Sequence, residues 1–277
     1  MTMRRRFAEV DVFTDVPYRG NPLAVVLDAD GLTDDEMQRF ANWTNFSETT
    51  FVLSPTTPEA DYRVRIFTTS TELPFAGHPT IGTCHAWLEA GGTPGSPGAV
   101  VQECGVGLVR IDRGARLAFA APPLLRGGPL DLDTLAEAAR ALGVPPDAIV
   151  DSAWIDNGPG WAGILLRSAD EVLAIDVANT ALKLGAIGPY PDGHEFAYEV
   201  RGFFPDGVIT FEDPVTGSLN ASAAQWLIEA GRVTAPYIAS QGARLGRAGR
   251  VHITTDASGQ VWVGGDAVTC VAGTVEL

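Results

Sequence analysis

Two glycine turns in the sequence are each followed by a side chain that can do proton-transfer or hydrogen-bonding chemistry. His78 follows Gly77, and Ser218 follows Gly217. A histidine can donate, accept or shuttle a proton near neutral pH, whereas a serine only exchanges hydrogen bonds unless a base activates it. The two turns are therefore predicted to have different roles in one kind of site.

Two carboxylates are further candidates, and each has an alternative interpretation. Glu48 lies among residues of strand character directly after a predicted helix. Burial there would favour its protonated form and let it carry a proton in both directions; the alternative is an exposed loop glutamate. Asp213 precedes Ser218 by five residues, and its alternative role is to form a turn before Pro214.

The turns belong to an internal repeat with an offset of 140 residues. Residues 72–85 (ELPFAGHPTIGTCH) have a weaker copy that begins at Glu212 (EDPVTGSLNA). At this offset Asp213 aligns with Leu73, so the carboxylate belongs to only one half. Two like halves that face each other are predicted to form a cleft, and the residues that differ between them are the ones expected to carry chemistry.

Each turn is preceded by a predicted strand and followed by a predicted helix. The strands share a Tyr-x-Val-Arg-x-Phe pattern over residues 62–67 and 198–203. The helices, residues 79–90 and 219–230, are small or apolar nearly all round, and a helix without a polar face must be enclosed on every side. The predicted fold class is α+β, with two pseudo-symmetric domains in which a barrel-like curved sheet surrounds one central helix.

The expected domains are residues 1–122 and 123–277. Residues 121–129 (APPLLRGGP) are rich in Pro and Gly and are the best candidate for a linker. The sequence leaves open whether the last predicted strand, residues 268–276, returns to the first domain.

Three further helices are predicted outside the repeated turns. A capping box at residues 33–36 (TDDE) indicates a helix that runs to about Thr44. The others are predicted at residues 132–142 and at about 169–184. The only lysine, Lys183, falls in the last of these, which argues against a pyridoxal phosphate enzyme because the Schiff base needs a lysine within a site.

The sequence predicts no metal and no other cofactor. His78 and His85 are seven residues apart without a His-x-x-x-His pattern, and His194 and His252 are isolated. The three cysteines are scattered and form no Cys-x-x-Cys pair, which suits a reducing compartment.

Charge and hydropathy exclude several classes of partner. The chain of 277 residues has 19 Lys and Arg against 34 Asp and Glu, a net charge of −15, so nucleic acid is a poor partner. No window approaches ~18–20 uncharged apolar residues, which argues against a membrane role. Residues 1–7 (MTMRRRF) are basic but run directly into a predicted strand, so no signal peptide is predicted and a cytoplasmic location is expected.

The start of each enclosed helix is a candidate binding site for an anion. The first N–H groups of a helix have no intrahelical acceptor, and the helix dipole favours negative charge there. Two such starts converging on one cleft would bind a small carboxylate substrate despite the negative net charge of the protein. The alternative is that Gly77 and Gly217 only allow tight turns.

Four segments together resemble the phenazine biosynthesis PhzF-like isomerase family, and the resemblance runs through nearly the whole chain. They are residues 45–51 (NFSETTF), 73–80 (LPFAGHPT), 157–159 (NGP) and 212–218 (EDPVTGS). The resemblance implies the diaminopimelate epimerase fold, a homodimer, no cofactor, and a reaction like the isomerisation of trans-2,3-dihydro-3-hydroxyanthranilate.

The resemblance also implies roles for individual residues. Glu48 would be the general acid and base, His78, Asp213 and Ser218 would complete the site, and the residues at the two turns, Gly77 and Gly217, would contribute backbone N–H donors.

The predicted activity is a cofactor-independent isomerase, in secondary metabolism, that shifts a proton and a double bond in a small unsaturated cyclic amino acid or related carboxylic acid. One alternative is an epimerase or racemase that uses a mixed pair such as Glu48 and Asp213. A pair of thiols is not expected, because at the repeat offset the three cysteines fall on Ala224, Arg244 and Leu130. The other alternative is a non-catalytic protein that binds a small acid.

Overall fold

The chain folds into two compact units. The computed structural model describes residues 3–205 and 207–277, so the first two residues of the basic N-terminal segment lie outside the described part. Unit 1 comprises Met1–Ala120 and Gly264–Leu277, and unit 2 comprises Ala121–Val263.

Over the described residues, the units are built from seventeen strands, five α-helices and two short 3-10 helices, Pro146–Ala148 and Ala243–Leu245. The strands are β1 (Arg4–Val12), β2 (Asn21–Val26), β3 (Thr49–Leu53), β4 (Tyr62–Phe67), β5 (Glu72–Leu73), β6 (Ala99–Cys104), β7 (Gly107–Arg113), β8 (Leu117–Ala120), β9 (Ile149–Trp154), β10 (Trp161–Leu166), β11 (Lys183–Pro189), β12 (Tyr198–Pro205), β13 (Thr210–Asp213), β14 (Tyr237–Gln241), β15 (Gly249–Thr255), β16 (Val261–Gly265) and β17 (Ala267–Glu276). The helices are α1 (Asp34–Thr44), α2 (Gly77–Glu89), α3 (Leu132–Leu142), α4 (Ala169–Leu173) and α5 (Gly217–Glu229).

The sheets of the two units repeat one order of pairing. In unit 1, β1 and β2 are antiparallel, β2 and β3 parallel, β3 and β4 antiparallel, β4 and β5 antiparallel, β4 and β6 parallel, and β6 and β7 antiparallel. In unit 2, the same sequence of relations links β9, β10, β11, β12, β13, β14 and β15. The predicted α+β class and the pseudo-symmetry of the two halves are confirmed.

An arginine and a glutamate that occur at equivalent positions of the two halves form the same ion pair in each unit. In unit 1, the Arg65 guanidinium donates to both carboxylate oxygens of Glu72, at 2.8 and 2.6 Å. In unit 2, Arg201 donates to both oxygens of Glu212, at 3.0 and 2.7 Å, and this pair is buried. Two-point pairing fixes geometry as well as adding energy. It ties the strand before each glycine turn to the short strand that leads into it.

The central helices α2 and α5 are enclosed, as their all-round apolar sequences predicted. Most residues of both helices are buried, including Ile81, Cys84, Leu219 and Leu227. A Cβ on Gly82 would lie 2.8 Å from Val12 Cγ2, so the helix can approach the strands this closely only with glycine at that position. Because both helices are enclosed from their first residues, Gly77 and Gly217, the start of each helix is held by packing.

Two of the three further predicted helices agree with the structure. Helix α1 begins after Thr33, whose hydroxyl accepts from the N–H of Glu36 while the Glu36 carboxylate accepts from the N–H of Thr33, which is the predicted capping box. Helix α3 has the predicted bounds, is capped by Asp131, and ends at Gly143 in the left-handed conformation.

The helix predicted at about residues 169–184 is wrong beyond its first turn. Helix α4 ends at Leu173, and Lys183 begins strand β11, which runs parallel to β10. The alanine-rich composition favoured a helix, but pairing with β10 and β12 decides the local structure, as tertiary context often does. The side chain of Lys183 donates to the carbonyl of Pro159 at 2.7 Å.

The C-terminal strand β17 lies in unit 1, where it pairs antiparallel with β1 from Arg4 opposite Glu276 to Val12 opposite Ala267. The segment predicted as a linker pairs within unit 2, where Arg126 bridges to Asp156 and Pro129 to Ala153. Among the residues that the structure describes, no helix combines the length and the apolar character needed to cross a membrane.

Gly188 of β11 provides a test of this packing. Its Cβ, if present, would overlap the backbone carbonyl of Ser168 at the start of α4. We expect Gly188→Ala to lower the free energy of unfolding by about 1–3 kcal/mol, because backbone atoms must move to make room. Gly273→Ala in β17, where the added methyl would contact nothing within 4 Å, is the control and should change it by less than about 0.5 kcal/mol. Urea denaturation of both variants makes the comparison, and equal effects would contradict the packing.

Candidate active site

Unit 1 brings two of the predicted residues together at the start of α2. Glu48 lies in the loop between α1 and β3, and His78 is the second residue of α2. Glu48 Oε2 is 3.6 Å from His78 Nε2, and the two side chains are 17% and 6% exposed. Glu48 is therefore a largely buried acid beside an imidazole, and the alternative of an exposed loop glutamate is wrong.

The hydrogen-bonding state of His78 follows from its surroundings. Burial lowers the pKa of His78 to about 3, so the ring is neutral at neutral pH. The ring bonds to the backbone of Pro22, which offers only a carbonyl, and Nε2 has no hydrogen-bond partner among the described residues. Nδ1 therefore donates to that carbonyl, and Nε2 presents its lone pair to Glu48. A proton on Glu48 can be shared with this lone pair.

The start of α2 also offers backbone donors. The residue at the cap, Ala76, has no side-chain oxygen, and the first intrahelical bond runs from the N–H of Thr80 to the Ala76 carbonyl at 3.1 Å. Pro79 has no N–H, so the amides of Gly77 and His78 are the donors at this end. This geometry suits an anionic oxygen.

Unit 2 places Asp213 at the end of β13, directly before α5. Asp213 is 9% exposed, and its Oδ2 accepts from the Thr216 hydroxyl at 2.6 Å. Thr216 Oγ1 in turn accepts from Gln241 Nε2 at 2.9 Å. The carboxylate is therefore held in place by a buried polar network and is more than the turn former of the alternative interpretation.

Ser218, the second residue of α5, is fixed by two donors from the loop between β9 and β10 and the start of β10. Trp161 Nε1 donates to Ser218 Oγ at 3.1 Å, and Asn157 Nδ2 donates to the Ser218 carbonyl at 2.9 Å. The indole N–H can only donate, so it occupies a lone pair of the hydroxyl and leaves the hydroxyl hydrogen to donate elsewhere. Ser218 is thereby set up as a hydrogen-bond donor.

The loop that carries Asn157 is itself held at several points. Asp156 Oδ1 accepts from the N–H groups of Gly158 and Gly160 at 2.7 and 2.6 Å, and Lys183 donates to Pro159. The only lysine of the chain thus supports a loop that contacts the start of α5.

Three residues with contacts in these clusters were missed by the sequence analysis: Thr216, Gln241 and Trp161. Thr216 lies inside the repeated turn opposite Ala76, and this difference was a usable signal. Gln241 is 25 residues from Thr216, and only the pairing of β14 with β12 brings it close. Trp161 follows the turn that contains Asn157, but no sequence motif marks it as a candidate.

Thiol and metal chemistry find little support in the described residues. Burial raises the pKa of the Cys84 thiol to about 12, and burial also raises that of Cys104. A thiol in that state is a poor source of thiolate. Within residues 3–205 and 207–277, no group of three or more His, Cys, Asp and Glu side chains could hold a metal ion.

Comparisons with known proteins agree over the full length of the chain. The family described as "Phenazine biosynthesis-like protein" matches residues 10–273. The chain is 37% identical to Antisense-enhancing sequence 1 of Schizosaccharomyces pombe, over 96% of this chain and 97% of that protein. It is 33% identical to the trans-2,3-dihydro-3-hydroxyanthranilate isomerase of Pseudomonas fluorescens, over 97% and 98%. The crystal structure of a PhzF-family phenazine biosynthesis protein from Bacillus anthracis superimposes with a TM-score of 0.83 at 25% identity, covering 99% of this chain and all of the other.

The buried neutral His78 generates a prediction about acid stability. An unfolded histidine titrates near 6.5, whereas native His78 has a pKa of about 3, so the unfolded state binds more protons within that window. Stability is therefore lost as the pH falls below about 6.5, and this residue should account for a loss of about 2 kcal/mol between pH 7 and pH 5. In His78→Gln, urea denaturation at the two pH values should show that much less pH dependence. Equal pH dependence in both proteins would show that His78 is not held neutral.

Proposed function

Because the chain belongs to the phenazine biosynthesis-like protein family, an isomerase family with the diaminopimelate epimerase-like fold, we propose that it is a cofactor-independent isomerase in secondary metabolism. The proposed reaction moves a proton and a double bond in a small unsaturated cyclic amino acid or a related carboxylic acid. The substrate class is taken from the relative in Pseudomonas fluorescens, whose name specifies trans-2,3-dihydro-3-hydroxyanthranilate.

The observation that carries the proposal is the buried pair of Glu48 and His78, 3.6 Å apart at a helix start. In the first step the Glu48 carboxylate removes a proton from carbon, and the electron pair of the broken C–H bond delocalises over the conjugated system. In the second step the Glu48 acid returns the proton to another carbon of that system. The reaction is balanced, since one C–H bond breaks, one forms and no electrons are gained or lost.

His78 supports this proton transfer by stabilising the protonated form of Glu48. Its Nε2 presents a lone pair to Glu48 Oε2, 3.6 Å away, and does not compete for the proton, because burial disfavours the imidazolium. A carboxylic acid that is stabilised in both forms can act as base in one step and as acid in the next.

Backbone and side-chain donors would bind the anionic part of the substrate. The N–H groups of Gly77 and Gly217 lie at helix starts, and the Ser218 hydroxyl is available as a donor. Asp213 would accept a hydrogen bond from an amine or hydroxyl group of the substrate. These roles do not require a cationic side chain, which is consistent with substrate binding by a protein of net charge −15.

Replacement of Glu48 tests the role of the proton carrier. With trans-2,3-dihydro-3-hydroxyanthranilate as substrate, followed by ultraviolet absorbance, Glu48→Gln should lower kcat by about 10²–10⁴-fold, because an amide cannot carry the proton. The affinity for anthranilate, measured by calorimetry, should change only a few-fold. Glu59→Gln, at an exposed glutamate, is the matched control and should retain activity. Full activity of Glu48→Gln would refute the mechanism.

Turnover in deuterated water separates isomerisation from epimerisation. Isomerisation should place deuterium at a new carbon of the conjugated system, because the proton on Glu48 exchanges with solvent between the two steps. Label at an inverted stereocentre would instead support the epimerase alternative with Glu48 and Asp213 as opposed bases. Nuclear magnetic resonance of the product distinguishes the two positions. Binding without any turnover would favour a non-catalytic protein that binds a small acid.

Two further expectations stay predictions: a cytoplasmic location, which was inferred from residues 1–7, and a homodimer, which the family resemblance implies. Light scattering on the purified protein tests the dimer.

A further inference from the structure

We propose that Thr216 and Gln241 are positioning residues that hold Asp213 as an ionised carboxylate at the start of α5. The inference rests on the proposed function only in assuming that Asp213 acts on the substrate. It assigns roles to two residues whose side chains act through Asp213.

The donors and acceptors of this network fix the direction of every hydrogen bond. Gln241 Oε1 accepts from the backbone N–H of Thr216 at 3.0 Å and from Asn220 Nδ2 at 2.8 Å. A backbone N–H is an obligatory donor, so the orientation of the Gln241 amide is settled. Gln241 Nε2 therefore donates to Thr216 Oγ1 at 2.9 Å and to the Asp213 carbonyl at 3.2 Å.

The direction of the hydrogen bond between Thr216 and Asp213 determines which oxygen carries the hydrogen, and so favours one ionisation state of Asp213. The Thr216 hydroxyl receives a hydrogen from Gln241, so its own hydrogen is the one that lies between it and Asp213 Oδ2, 2.6 Å away. Asp213 Oδ2 must accept this hydrogen and cannot itself carry a proton in that direction. A short hydrogen bond of this kind favours the ionised carboxylate.

Burial makes the arrangement costly to change. Gln241 is fully buried, and Asn220, Thr216 and Asp213 are 3%, 5% and 9% exposed. Rotating the Gln241 amide would place its NH₂ group against two donors, and a buried donor without an acceptor costs about 1–3 kcal/mol. A network in which each of these bonds is satisfied specifies one conformation of its members.

The duplicated unit shows that this network is not required by the fold. In unit 1, Gln102 of β6 forms different bonds: it donates to Thr80 Oγ1 at 3.1 Å and accepts from the Tyr62 hydroxyl at 2.9 Å. The repeat offset places Ala76 opposite Thr216 and Leu73 opposite Asp213, so hydroxyl and carboxylate occur together in unit 2 alone.

Thr216 also forgoes the usual role of a threonine at its position. It is the cap residue of α5, where a threonine side chain commonly accepts from an N–H of the first turn. Within the described part of the chain, no side chain forms such a cap on α5. The hydroxyl is directed to Asp213 instead, and the first amides of the helix remain available for an anion.

Substitutions at Thr216 test the proposal. Thr216→Ala is compatible with the fold, since unit 1 carries Ala76 at the equivalent helix start, and it should lower kcat/KM for trans-2,3-dihydro-3-hydroxyanthranilate by about 10–100-fold because Asp213 Oδ2 loses the hydrogen bond from the Thr216 hydroxyl. Thr216→Ser keeps the hydroxyl and should stay within about three-fold of the parent. Thr83→Val, which removes a buried hydroxyl bonded to Thr50 at 2.8 Å, controls for a loss of stability and should leave kcat/KM nearly unchanged.

A double-substitution cycle separates positioning from a merely structural role. In the background of Asp213→Asn, Thr216→Ala should have little further effect, because the residue that it positions is already disabled. Independent, multiplicative effects of the two substitutions would overturn the proposal. An equal loss in Thr216→Ala and Thr83→Val, or no rescue by serine, would also overturn it. Full activity of Asp213→Asn would instead remove the role of Asp213 from the proposed function.

A readout that does not depend on turnover completes the test. The side-chain carboxyl of Asp213, labelled with carbon-13 and assigned by its absence in Asp213→Asn, should have the chemical shift of a carboxylate at pH 7. The Gln241 side-chain NH₂ should exchange slowly with deuterated water, and faster in Thr216→Ala. A protonated Asp213, or rapid exchange of the Gln241 amide in the parent protein, would refute the network as described.

Discussion

The enclosure of a helix on all sides is the constraint on which the site depends. Helices α2 and α5 have no exposed polar face, so most polar groups along them need a partner inside the unit. Thr83 meets this need through Thr50, and Asn220 meets it through Gln241. The first amides of a helix are the exception, because the chain behind them supplies no acceptor. Each enclosed helix therefore begins with unpaired N–H donors at the edge of a packed core. A small anion can be bound there with little reorganisation.

Duplication supplied this arrangement twice, and divergence at a few positions gave the two copies different chemistry. The bidentate pairs Arg65–Glu72 and Arg201–Glu212 keep the strands before the two turns alike. Directly after the turn, unit 1 has a neutral histidine beside an acid, and unit 2 has a serine whose hydroxyl accepts from Trp161 and can donate its own hydrogen. Unit 1, which contains Glu48 and His78, has Leu73 where unit 2 has its fixed carboxylate, Asp213. The two copies of the repeat therefore carry different functional groups at equivalent helix starts.

The sequence predicted the features that depend on local pattern. The repeat offset, the two enclosed helices and the capping box at Thr33 followed from spacing and residue type, and they also indicated where the candidate residues lie. Lys183 was misplaced because an alanine-rich segment has helical character, whereas its strand is defined by pairing with β10. Gln241 and Trp161 were missed because strand register, and no local motif, brings them to the start of α5. Contacts that depend on strand register cannot be predicted from the residues nearby in the sequence.

The same enclosure affects the protonation states of the ionisable side chains on and beside the central helices. A thiol in this core, such as Cys84, has its pKa raised to about 12, so an enclosed cysteine is held in its protonated form. A histidine at the start of α2 is held in its neutral form, as His78 is. Of these groups only Glu48, which reaches the helix start from a loop, has a neighbour that can accept its proton in a hydrogen bond without taking it. A largely buried carboxylic acid on a loop, beside a neutral imidazole at the helix start, can therefore change protonation state without a change in the packing of the helix.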